Sequence, residues 1–125
     1  MVIGNQIYKG FTIVELLVVL SVIALLLTIL TPRYLNKIDE GKEVVLKQNL
    51  ATIRYSIDQY YSDQGQYPSQ LKQLVEKHYL RDIPEDPIMK SRDWTIIKEK
   101  EQQGIYDVKS QSQAVASDKR VYAEW

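Results

Sequence analysis

A chain of 125 residues has room for one small domain and a membrane segment, but not for two independent cores. Its sixteen basic and sixteen acidic side chains cancel, which removes any global attraction to nucleic acid or to an anionic surface. It contains no cysteine, so a disulfide-stapled fold is excluded.

The first ten residues carry one charge, Lys9, and end in Gly10. A secretory signal would place charge first, then a short apolar run, then small residues at a cut site beyond it. Here the candidate cut site precedes the apolar run, so a cut after Gly10 retains the run. From Phe11 to Leu30 there are twenty residues, and Glu15 is the only one that ionises. A helix of that length spans about 30 Å, the hydrocarbon thickness of a bilayer. It is apolar on every side, and a small soluble domain rarely needs such a helix. The run is read as membrane-inserted.

Glu15 is the exception within it. A carboxylate at mid-bilayer costs about 2.5–3.5 kcal/mol, and less near the surface. The run offers no Lys, Arg or His as a partner. A cut after Gly10 would create an α-amine on Phe11, and the same amine of a neighbouring subunit could serve equally well. The alternative is a carboxylate that stays near the headgroups or is protonated.

Gly10, Phe11, Thr12-Ile13-Val14, Glu15 and Pro32, at these spacings, resemble the N-terminal signal of type IV pilins and type II secretion pseudopilins. The resemblance implies that a prepilin peptidase removes residues 1–10 and methylates Phe11. It also implies that the apolar helices bundle as the core of a filament, with Glu15 and Pro32 serving assembly. The implied organisation is a leader at 1–10, a transmembrane and filament-core helix at 11–31, and a periplasmic pilin-like domain at 32–125. Lys9 favours a cytoplasmic N-terminus, whereas Arg33 and Lys37 on the other flank oppose it. The resemblance decides for the cytoplasmic N-terminus and a single pass through a bacterial inner membrane. Many pilins carry a C-terminal disulfide loop, so the absence of cysteine favours the pseudopilin branch.

Beyond Leu30, Pro32 lacks a backbone donor and crowds the Thr28 carbonyl, which predicts a kink or local unwinding. The helical pattern then resumes. Leu46, Leu50, Ile53, Ile57 and Tyr60/Tyr61 recur every three or four residues. Glu43/Lys47 and Arg54/Asp58 are i,i+4 pairs suited to an exposed face. One long helix is expected from Phe11 to Ser62, ended by Gly65 in a left-handed cap. Ser69 is expected to cap a short helix running to His78. Gly65-Gln66-Tyr67-Pro68 and Ile83-Pro84-Glu85-Asp86-Pro87 resemble the corresponding stretches of G-type secretion pseudopilins.

Trp94–Lys100 and Gly104–Ser110 read as two strands joined at Glu101–Gly104. Alternation puts Trp94 and Ile96 on one face of the first strand. In the second it sets Ile105, Asp107 and Lys109 against Tyr106 and Val108. The sheet is expected to pack on the Leu50/Ile53/Ile57 face, and Val121–Trp125 to fold back onto it. The fold class is thus α+β: a long N-terminal helix, half membrane and half amphipathic, packed on a small antiparallel sheet.

No set of residues points to catalysis. His78 is the single histidine and has no nucleophile placed to work with it. Glu85 and Asp86 are adjacent in a proline-bounded loop and read as solvated charges. Lys90, Arg92, Lys98, Lys100, Lys119 and Arg120 could gather near Trp94, but Asp93, Glu99, Glu101 and Asp118 offset them, so nucleic acid is not an expected partner. The resemblance to G-type pseudopilins also implies calcium in a loop near the C-terminus. Such a site needs six to eight oxygen ligands. Between Ser110 and Arg120 the only acid is Asp118, beside Ser110, Ser112 and Ser117. The expectation is no cofactor, with Asp118 the candidate ligand if calcium binds.

The reading is a non-enzymatic structural subunit of a type II secretion pseudopilus. Its expected partners are further copies of itself, the prepilin peptidase, other pseudopilins and the inner-membrane assembly components. A type IV or competence pilin is the alternative.

Overall fold

The computed structural model describes residues 10–101 and 103–125. The expected leader therefore lies, except for Gly10, outside the described residues. One helix, α1, runs from Ile13 to Gln64, close to the span read from periodicity. Two compact units divide within it, between Lys37 and Ile38.

In the first unit the apolar side chains from Ile13 to Leu30 are exposed, and α1 is long and apolar enough to cross a membrane. Ser21, Thr28 and Thr31 turn their hydroxyls back onto the carbonyls of Leu17, Ala24 and Leu27 at 2.7–2.8 Å. Their polar atoms are thereby satisfied within the helix, as a hydrocarbon environment demands. Pro32 lies inside α1, which remains helical through it. The expected unwinding does not occur: only the donor to Thr28 is missing, and helical bonding continues on both sides.

In the second unit the buried stripe of α1 is Glu43, Leu46, Leu50, Ile53, Ile57 and Tyr60. Its 3-4-3-4-3 spacing marks one face of the helix. Tyr61, grouped with Tyr60 by periodicity, is instead exposed. Gly65 ends the helix with φ +72°, and its N–H donates to the Tyr61 carbonyl at 2.9 Å, as a left-handed cap requires.

A short helix, α2, covers Lys72–Glu76 and has no side-chain cap. Ser69 does not cap it. Instead the Ser69 N–H donates to the Gln73 side-chain oxygen at 2.9 Å, so a residue inside the helix reaches back to the chain before it. Leu71, Leu74 and Leu80 join the α1 stripe in one core.

Two strands, β1 (Thr95–Lys98) and β2 (Ile105–Lys109), pair antiparallel. Two strands alone are marginal in water, so this ribbon depends on packing against α1. Thr95 faces Lys109 and Ile97 faces Asp107, but Lys98 faces Ile105. Tyr106 is therefore the extra residue of a β-bulge. The bulge breaks strict alternation and brings both Ile105 and Val108 into the core while Tyr106 stays exposed. Trp94 precedes β1 instead of belonging to it. Its ring is buried and its indole N–H donates to the Pro84 carbonyl at 2.9 Å. Ile96 is 43 % exposed, so the two do not share a buried face. After β2 the chain returns through a Val115–Val121 bridge to a 3-10 turn at Tyr122–Glu124. Tyr122 and Trp125 pack against the same core.

Candidate functional site

The chemistry at the start of α1 is built from Thr12 and Glu15. The Glu15 N–H donates to the Thr12 hydroxyl at 3.1 Å, and the Thr12 N–H donates to the Glu15 carboxylate at 2.9 Å. This reciprocal pair is a capping box, which satisfies two of the donors a helix start leaves free. The carboxylate also sits beside the positive end of the helix dipole. Glu15 thus has a partner in its own chain, a backbone N–H and hydroxyl where a cation would have been the simplest match. The Thr-x-x-Glu spacing is its sequence signal.

Phe11 is 88 % exposed ahead of the helix. Gly10 is exposed, and a Cβ placed there would meet nothing within 4 Å. Gly10, Phe11 and Thr12 therefore form a short accessible segment directly before an exposed apolar helix, with Glu15 in the first turn of that helix. Pro32 lies in the same unit but within the helix, away from this segment in sequence.

In the second unit three polar ties, two buried and one half-buried, hold the helix, the loops and the C-terminal segment together. Glu43 is only 8 % exposed. Its carboxylate accepts from the Ser117 N–H and the Tyr122 hydroxyl, each at 2.8 Å, and from the Ser117 hydroxyl. Donation from the Ser117 hydroxyl opposes desolvation and holds Glu43 below the usual carboxylate range. Burial, reinforced by that carboxylate, pushes Tyr122 up to about 12. Glu43 is therefore not part of an exposed Glu43/Lys47 face. Arg54 likewise belongs to a tie between elements: it pairs with Asp107 at 2.7 Å and donates to the carbonyls of Val108 and Trp125.

Asp86 corrects the reading of a solvated loop charge, being 0 % exposed. It accepts from the N–H groups of Ile88 and Met89 at 2.8 and 3.2 Å and from the Ser110 hydroxyl. Prolines on both sides turn the chain so that this side chain points inward, where loop amides satisfy it. Glu85 remains exposed.

His78 is exposed beyond α2 with φ 66°. Of the basic residues that could have gathered near Trp94, Arg92 pairs with Asp82 at 2.6 Å and Arg120 with Asp118 at 2.9 Å. Asp118 accepts from both the backbone and the side chain of Arg120, which draws it below the usual carboxylate range. Among the described residues no group of three or more His, Cys, Asp or Glu side chains is arranged to hold a metal ion.

Residues 6–31 match the family model of the prokaryotic N-terminal methylation motif. The chain is 30 % identical over 95 residues to type II secretion system core protein G of Pseudomonas aeruginosa, an alignment covering 63 % of this chain and 67 % of that protein. This chain belongs to the type II secretion core protein G family. Core protein G of Pectobacterium carotovorum is 25 % identical, with 63 % of this chain and 61 % of that protein covered. Fimbrial protein EcpC of Eikenella corrodens is 30 % identical over 65 residues, covering 52 % of this chain and 42 % of that protein. The chain thus spans under two thirds of the Pectobacterium core protein G and under half of the fimbrial protein. No solved structure matches significantly.

As a core protein G, the chain is a membrane-anchored pseudopilin whose methylation motif lies on the accessible segment and the exposed apolar helix.

Proposed function

We propose that this chain is a structural, non-enzymatic subunit of a type II secretion pseudopilus. It sits in the bacterial inner membrane with its leader in the cytoplasm and its domain in the periplasm. The observation that carries this reading is the Gly10–Phe11 bond, exposed one residue before a capping box that opens an unpartnered apolar helix. Prepilin peptidase would cut that bond and methylate Phe11. The freed amine lies close in sequence to Glu15, and in a filament the Glu15 carboxylate would meet the amine of an adjoining subunit. An unmatched carboxylate costs most in hydrocarbon, so this match makes addition in register favourable. Growth of the filament, with other pseudopilins and inner-membrane assembly components, would push folded proteins across the outer membrane.

Intact-mass measurement of the protein extracted from cell membranes tests the processing step. The expected species begins at Phe11 and carries one added methyl group. A chain that keeps residues 1–10 contradicts processing. A second reading, a type IV or competence pilin, has the fimbrial relative in its favour. Surface pili or DNA uptake lost with the chain, and secretion intact, would select it.

A further inference from the structure

The loop from Ser110 to Arg120 is where the resemblance to G-type pseudopilins places calcium, and the side-chain oxygens of its serines and of Asp118 are already engaged. Both Asp118 oxygens accept from Arg120, at 2.9–3.0 Å. The Ser117 hydroxyl donates to Glu43, and the Ser110 hydroxyl donates to Asp86 while accepting from the Ser112 N–H at 3.1 Å. The Ser112 hydroxyl accepts from the Ala114 N–H at 3.2 Å. A cation bound at Asp118 would have to displace the Arg120 guanidinium and lie next to Lys119 in sequence. Asp118 is the one carboxylate the loop offers, whereas calcium takes six to eight oxygens, usually with several carboxylates among them. The residues present do not fit the ion.

What they fit is an anchor made by the protein itself. Glu43 enters from α1, at a stripe position otherwise held by Leu, Ile and Tyr, and takes three donors from the C-terminal segment. Two of those donors lie at one end of the loop, on Ser117, and the third on Tyr122. The Val115–Val121 bridge and the Ala116–Arg120 hydrogen bond of 2.7 Å close the turn between them. A buried carboxylate fully supplied with donors both fixes geometry and resists exchange for water.

We infer that Glu43 does for this loop what a calcium ion would do, clamping residues 114–122 to the long helix, so that the domain folds without regard to calcium. The Asp118–Arg120 pair closes the position where the ion would sit.

Backbone hydrogen exchange over residues 114–122 tests this in the full chain held in detergent micelles, in EGTA and in CaCl2. The expected result is the same exchange rate at the Ser117 amide in both solutions. Glu43→Gln is expected to raise that rate about tenfold or more in either solution, since bonds to an ionised acceptor are among the strong ones. If Glu43→Gln does not fold, Ser117→Ala removes one donor, keeps the amide, and is expected to raise the same rate by a smaller factor. Slower exchange in CaCl2 that Asp118→Asn abolishes would establish a metal site and overturn the inference. An unchanged Ser117 rate in the substituted chains would overturn the anchor.

Discussion

The Tyr122 hydroxyl donates to the Glu43 carboxylate at 2.8 Å across 79 residues of chain. A residue near the start of the second unit is thereby tied to one near its end. Strands, loops and α2 lie between these two residues in sequence, so the bond closes the unit. Its ionisation state sets a pH window. Glu43 titrates below its ordinary 4.5 when folded, so its contribution is fully present above about that value and is lost as pH falls through the folded pKa. Tyr122 moves the other way, from 10.0 up to about 12. Its contribution is present below pH 10 and is lost as pH rises toward 12. Denaturant unfolding at a series of pH values should show both losses in the unsubstituted chain. The alkaline loss should shrink in Tyr122→Phe, and the acid loss in Glu43→Gln.

Gly104 has no room for a side chain. A Cβ there would stand 2.4 Å from Tyr67 Cβ and 2.9 Å from the Tyr67 carbonyl oxygen. The obstacle is backbone and the root of a side chain, neither of which can swing aside. Gly104→Ala should therefore cost about 1–3 kcal/mol, read as a lowered unfolding midpoint. Gly65→Ala meets open space but must adopt φ +72°, and should cost about 1 kcal/mol. Equal stability of Gly104→Ala and the unsubstituted chain would contradict the close approach.

Arg54 reaches Asp107, Val108 and the Trp125 carbonyl with one planar group. Lysine carries the charge but not the fork, so Arg54→Lys should recover little of what Arg54→Ala loses. The loss is expected at about 1–3 kcal/mol for a half-buried, hydrogen-bonded ion pair. Full rescue by lysine would mean that charge alone matters there.

Thr12→Ala removes the hydroxyl half of the capping box. The first turn of α1 should fray, at a cost of about 1 kcal/mol, visible as faster amide exchange at Glu15 in micelles. Thr12→Ser should keep the protection. Glu15→Ala removes the other half, yet should leave the second unit folded, because both residues of the capping box belong to the first unit. It should also fail to enter filaments in cells, and normal filaments from Glu15→Ala would show the charge to be dispensable.

Much of the architecture was legible in the residues. The apolar run, the resumed stripe from Leu46 to Tyr60 and the Gly65 stop defined α1, and the two β-rich stretches defined the ribbon. What was misread involved polar side chains at positions where pattern reasoning assigns solvent. Glu43 continues the buried stripe backward by the same three-residue step that separates Leu50 and Ile53. A charge at such a position signals a buried partner, but the partner, Ser117, lies 74 residues away. Asp86 was hidden for the same reason: its donors come from a turn and from Ser110, neither of which any local pattern predicts. The bulge at Tyr106 depends on register, and one unpaired residue is enough to reverse the faces of β2. The Thr12–Glu15 box was present in plain spacing, but an apolar run that begins at Phe11 draws attention to the membrane and away from the helix start.

The most direct test of the secretion role is the set of proteins released by a strain lacking this chain, measured beside its pilus count. Loss of secreted proteins with normal pili, restored by the intact chain but not by Glu15→Ala, is the expected result. Intact secretion in the strain without the chain would contradict the assignment to a secretion pseudopilus.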